Sequence, residues 1–103
     1  MPVLGAQFHI LFSLLDGEKH GYAIMKAVQE DTRGRLKLGP ATLYTNLKKM
    51  LAQGLIAETE KEEQSERRRY YQLSDQGRTL VEDELQQLEA TLNLARQRRI
   101  TGA

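Results

Sequence analysis

Cysteine is absent from the 103 residues, which excludes disulfides, thiolate nucleophiles and cysteine-type zinc sites. Histidine occurs twice, as His9 and His20. The two fall in different predicted elements and lack the spacing of a metal site, so neither a metal nor any other cofactor is expected. His9 reads as a helix residue packed among apolar neighbours, and His20 as lying near the start of a second helix. A long hydrophobic run is also missing. The apolar stretch over 3–15 is interrupted by Gln7, His9 and Ser13 and is too short to span a bilayer. No basic residue precedes it, so it does not read as an export signal, and a cytoplasmic location with no membrane partner is the expectation. Charge of one sign is not in large excess either: the formal net charge is +1, so the chain as a whole is not a polycation.

Charge is instead segregated. Residues 33–49 carry Arg33, Arg35, Lys37, Lys48 and Lys49 with no acid, and Arg67, Arg68 and Arg69 follow as a run. The acids concentrate in 58–66 and in the last predicted helix. Such a distribution suits a protein that holds one surface against a polyanion. The length suits one small domain with a modest core, which makes an oligomer plausible.

The stretch 39–54 organises the chain. Gly39 can serve as an N-cap, Pro40 fits the first helical position and Gly54 fits the left-handed position just past the end. Leu43, Leu47, Met50 and Leu51 recur at helical spacing and predict a buried stripe. The opposite face carries Ala41, Thr45, Lys48, Lys49 and Ala52, flanked by Thr42, Tyr44 and Asn46. A helix that enters the major groove needs a low-profile end, donors for base edges and cations for phosphate. Taken by itself, the same pattern also fits an ordinary core helix with two solvated lysines.

The remaining elements follow in order. Residues 4–15 predict a helix that is apolar on most of its circumference, with Leu4, Phe8, Leu11, Phe12 and Leu15 on one stripe and Gly17 ending it. A helix wet on so little of its surface calls for a second packing partner. Residues 20–31 predict a second helix buried through Tyr22, Ile24, Met25 and Val28, broken at Gly34. The alternation Arg35-Leu-Lys-Leu38 suggests a very short strand. Two strands are expected at 55–60 and 68–73, joined by a polar loop over 61–67. Tyr71 and Leu73 share one face of the second strand and Tyr70 takes the other. Ser74 caps a long final helix with Asp75 in its first turn. There Val81, Leu85, Leu88, Leu92 and Ala95 form a heptad seam, widened by Leu80 and Leu94. The expected architecture is mainly α with a small β-hairpin (α+β): a winged helix-turn-helix over 1–73 and a C-terminal dimerisation helix over 74–103, forming one structural unit.

Four segments in this order resemble the PadR-like transcriptional regulators, in particular short members with a single C-terminal helix. They are His20-Gly-Tyr-Ala-Ile24, Gly39-Pro-Ala-Thr-Leu-Tyr44, Leu51-Ala-Gln-Gly-Leu-Ile56 and Arg69-Tyr-Tyr-Gln-Leu-Ser74 followed by Gly77-Arg78. The resemblance implies a homodimer that binds double-stranded DNA, usually as a repressor of a nearby gene and sometimes relieved by a small-molecule effector. It places Tyr44 near the DNA backbone, Tyr22 as the support of the second helix against the recognition helix, and Arg69 and Tyr70 at the start of the second wing strand. With the basic stretches, the DNA-facing set becomes Tyr22, Lys37, Ala41, Thr42, Tyr44, Thr45, Lys48, Lys49, Arg67, Arg68 and Arg69. The subunit interface is expected at Leu4, Phe8, Leu11, Phe12, Val81, Leu85, Leu88, Leu92 and Ala95. Two departures matter. The wing turn carries Glu62, Glu63 and Glu66 where the family often has glycine, so contact is expected from the arginines at the base of the hairpin instead of from its tip. Tryptophan is absent, so stacking of flat drugs between tryptophans, as in some short relatives, is not supported. Two other function classes fit less well. An enzyme lacks a base–nucleophile pair, and a winged helix used only for protein contacts has no need of the acid-free stretch over 33–49.

Overall fold

The computed structural model describes residues 5–100. Helix α1 (Ala6–Ser13) is followed by strand β1 (Lys19–His20), helix α2 (Gly21–Asp31), helix α3 (Pro40–Ala52), strands β2 (Ile56–Glu63) and β3 (Glu66–Leu73), and helix α4 (Asp75–Ile100). The strands form one antiparallel sheet in the order β1-β3-β2. This is the winged helix-turn-helix with a long C-terminal helix.

Each element has a local cause and a packing cause. Helix α3 starts at Gly39, held extended, with Pro40 at its first position, and ends before Gly54, whose φ of 75° needs a residue without a β-carbon. Its stripe Leu43, Leu47 and Met50 is buried with Ile10, Leu11 and Leu14 from the α1 region, Ile24 and Val28 of α2, Leu55 just before β2, Ile56 and Tyr71 of the sheet, and Val81 of α4. Burial of each such aliphatic side chain contributes about 1.5–3 kcal/mol. One contiguous core therefore seats α3, the wing and the base of α4 together.

Three expectations need correction. Helix α1 is shorter than 4–15. Its last turn gives way at Leu14–Asp16, where Leu14 and Leu15 donate to the carbonyls of Leu11 and Phe12, before Gly17 redirects the chain. Residues 35–38 form no strand. The Thr32 hydroxyl donates to the Val28 carbonyl and accepts from Leu36 N–H, which ties the segment to the end of α2 while Leu36 and Leu38 pack on the core. The third strand is instead Lys19–His20, paired with Tyr71 and Tyr70. The span 61–67 is not a loop: the ladder continues to Glu63 opposite Glu66, and only Gln64 and Ser65 turn, both at positive φ (50° and 68°). That is the geometry of a tight hairpin turn whose twist matches its strands. Arg67–Arg69 therefore begin β3 beside the turn and not at the base of the hairpin, the place expected for them.

The base of α4 is fixed by Ser74. Its Oγ accepts from Gly77 N–H at 3.0 Å and donates to the Gly54 carbonyl at 2.6 Å, and its own N–H reaches the Leu55 carbonyl at 3.1 Å. Gly77 lies directly against that Leu55 carbonyl, where no β-carbon fits. Beyond Leu85, the leucines of α4 are open: Leu88, Leu92 and Leu94 are 39%, 46% and 52% exposed. Among the described residues, no helix is long and apolar enough to cross a membrane.

Candidate nucleic-acid interface

The exposed side of α3 presents Ala41, Thr42, Thr45, Lys48 and Lys49 in the open, with Lys37 exposed just before the helix. It bears no carboxylate. Asn46 is turned onto its own helix, where Nδ2 donates to the Thr42 carbonyl at 2.8 Å. Small and hydroxyl side chains lead the helix and lysines follow, an order that admits close approach at one end and supplies cations behind it.

Two tyrosines extend this face. Tyr22, at the second position of α2, is 68% exposed and so does not belong to the buried side of that helix, as its spacing suggested; Tyr44 is 50% exposed. Both open on a cleft of about 520 Å³ that they line with His20, Gly21, Arg67, Arg68 and Arg69. The structure thus brings together Tyr22, Tyr44 and the three arginines from three elements far apart in sequence. A second hollow between α3 and the wing is lined by Tyr44, Lys48, Glu58, Arg69 and Tyr71, among others. There burial, reinforced by the Glu58 carboxylate, pushes the Tyr71 phenol up to about 12.

The wing is close to electrically balanced. Side chains alternate across the sheet, so Arg67, Arg69 and Tyr71 share one face and Arg68 and Tyr70 the other. Glu62, Glu60 and Glu58 stand directly opposite Arg67, Arg69 and Tyr71. Arg67 Nη1 lies 3.8 Å from Glu60, and Arg68 Nη2 lies 3.4 Å from Glu66. Both pairs are exposed, so each is weak and can be exchanged for another anion. On the face of Arg68 and Tyr70, Lys61 pairs with Glu18 and lies 5.0 Å above the Tyr70 ring, while the Tyr70 hydroxyl donates to Glu63 at 2.7 Å. The Glu18 contact holds the Lys61 ammonium above the usual lysine range, and the bond to Glu63 raises the Tyr70 phenol.

His20 is a member of this site that the sequence pattern does not single out. It precedes α2 in extended conformation, and its Nδ1 accepts from Ala23 N–H at 3.2 Å. Its ring stands edge-on to Tyr70, with centroids 5.5 Å apart, and its Nε2 lies 3.3 Å from Nη1 of Arg68. The one signal in the sequence is its place just before a helix start; the Tyr70 partner across β1–β3 has no local signature.

The residues expected at a subunit interface divide into three groups. Leu11 and Val81 are 1% and 0% exposed and belong to the protomer's own core. Leu85 packs partly on that core, as do Phe8 and Phe12, whose rings stack 5.7 Å apart. Leu88 and Leu92 are open and Ala95 is half-buried. Leu4 lies outside the described residues.

Comparison with known proteins places this arrangement. The family model of the PadR-like transcriptional regulators matches residues 10–83. A PadR family transcription regulator from Clostridium difficile has 30% identity and a TM-score of 0.74, over 88% of this chain and 94% of that one. Bacillus subtilis PadR, solved in complex with operator DNA, has 26% identity and a TM-score of 0.71, over 82% of this chain and 48% of that one. An uncharacterised 37.1 kDa protein of transposon Tn4556 from Streptomyces fradiae is 38% identical over 79 residues, 77% of this chain. The chain spans about a fifth (21%) of that curated relative's length. With the winged-helix frame, the long α4 and a family match over most of its length, the chain belongs to the PadR-like family of transcriptional regulators.

Proposed function

We propose that the chain is a homodimeric, sequence-specific DNA-binding repressor that recognises an inverted-repeat operator through α3. The observation that carries this reading is the acid-free exposed face of α3, continued by Tyr22, Tyr44 and Arg67–Arg69 around one cleft. Ala41, Thr42 and Thr45 approach base edges; Lys37, Lys48, Lys49, the two tyrosines and the wing arginines meet phosphate. The relative from B. subtilis, seen with operator DNA, supports the same use of the frame. Dimerisation rests on Leu88 and Leu92, apolar and open on the distal half of α4, and on Phe8, Phe12, Leu85 and Ala95, which are only partly buried. The space between subunits is a filled apolar core in this reading, since tight packing is the rule in protein interiors. An effector that relieves repression would have to open it.

Selection of bound sequences from random duplexes, followed by mobility-shift titration at rising salt, tests the proposal. The expected result is an inverted repeat with half-site centres about 10 bp apart and an affinity that falls linearly in log–log form with salt. A direct repeat, or binding indifferent to salt, would refute it.

A further inference from the structure

Two hydrogen-bond donors confront each other in the cleft. His20 Nδ1 accepts the Ala23 N–H, so in the neutral ring the proton sits on Nε2. That Nε2–H lies 3.3 Å from Nη1 of Arg68, and a guanidinium can only donate. The contact cannot be a hydrogen bond while the cap is made. A single acceptor atom placed above both would satisfy the two N–H groups together. The other arm of Arg68 is already turned to Glu66, and Tyr70 braces the imidazole edge-on, so both donors are held in position by their own neighbours. The other groups around the opening are Tyr22, Tyr44, Arg67 and Arg69, which favour an anion there.

We infer that His20 is a positioning and binding residue for DNA: its Nε2–H and Arg68 jointly clamp one oxygen of a single backbone phosphate. The inference rests on the DNA-binding reading above and adds a neutral donor to it. It follows that His20 and Arg68 act differently. Arg68 neutralises charge and releases counterions; the neutral imidazole strengthens the contact without releasing any. His20 also makes the cap of α2, so the phosphate contact and the start of that helix share one side chain.

The test compares the full-length wild type with His20→Asn, Arg68→Ala and the double variant, on a duplex selected by the wild type from a random pool. Asparagine keeps an N-cap acceptor but is too short to carry a donor to the position of Nε2. Melting curves establish that the variant is folded. The expected result is a loss of roughly tenfold or more in affinity for His20→Asn, the scale of a hydrogen bond to a charged acceptor, with the salt slope unchanged. Arg68→Ala should flatten the slope by about one unit. In the Arg68→Ala background the histidine change should cost less than about threefold, because the two share one oxygen. Wild-type affinity in a folded His20→Asn protein, or fully additive losses, overturns the clamp while leaving DNA binding by α3 intact. A wild type that binds no duplex at all, or binds indifferently to salt, fails both readings.

Discussion

The hydroxyl of Tyr44 occupies the space that a side chain on Gly21 would need: a β-carbon built there would lie 2.5 Å from the hydroxyl oxygen and 3.1 Å from Cζ. The first residue of α2 and the recognition helix are thus fitted to each other, and the tyrosine is aimed along the cleft. Gly21→Ala should push out the far end of one flexible side chain and little else. Stability should change by less than about 1 kcal/mol, since alanine is also the better helix former. DNA affinity should nevertheless fall for all sequences alike, as it should in Tyr44→Phe, which removes the hydroxyl. Paired melting and mobility-shift measurements check this; a Gly21→Ala protein with full affinity would show that the tyrosine's position is immaterial.

Gly77 gives the opposite expectation. Its missing β-carbon is replaced by the Leu55 backbone carbonyl, which cannot swing aside. Gly77→Ala should destabilise by about 2 kcal/mol or more, in the range of overpacked cores. Urea denaturation measures it, and a neutral outcome would mean that the base of α4 is looser than it stands.

Lys48 and Lys49 lie on the exposed side of α3, away from its buried stripe. Replacing either with alanine should leave stability within about 0.5 kcal/mol. It should reduce the salt slope of DNA binding by about one unit for each phosphate that is no longer neutralised. Unchanged slopes in both variants would separate this face from the backbone.

The apolar seam of α4 should behave differently from the core beneath it. Leu11→Ala, in the protomer core, should cost about 2–5 kcal/mol of stability without weakening subunit association. Leu88→Asp should dissociate subunits, because it would bury an unpaired charge between them. Sedimentation equilibrium at micromolar concentration distinguishes them, and a monomeric wild type would end the dimer proposal.

The Tyr71 phenol, raised from 10.0 to about 12 by burial and Glu58, sets an alkaline limit. A group whose folded value exceeds its unfolded one binds its proton more tightly in the native state. Its contribution is complete below pH 10.0 and lost as pH rises through the interval to about 12. Tyr71→Phe should remove that dependence, and Glu58→Gln should lower the phenolate transition seen by ultraviolet absorbance. Ionisation of the native tyrosine near its ordinary value would contradict the assignment.

Much of the frame is legible in the sequence because it rests on local rules. Gly39-Pro40 and Gly54 bound α3, Ser74 caps α4, and the leucine spacing identifies the buried stripe. What escapes depends on distant partners. A strand of two residues has no periodicity, and Lys19–His20 is a strand only because Tyr70 and Tyr71 lie beside it. The hairpin's charged alternation hides strands that continue to Glu63 and Glu66, and its turn uses Gln64 and Ser65 without glycine. A heptad count cannot tell a protomer's own core from a partner, so Val81 and Leu88 read alike although one is sealed and the other open. The pairing of His20 with Arg68 likewise exists only once β1 meets β3.

The Ser74 node has a mechanical consequence. One hydroxyl and one amide join the end of α3, the start of β2 and the first turn of α4, so the long helix meets the recognition helix without a hinge. In a dimer held by α4, the angle at which two such levers cross fixes the distance between the two reading heads. A change of crossing angle at the far end would then reach the DNA as a change in half-site spacing, with no rearrangement inside either head.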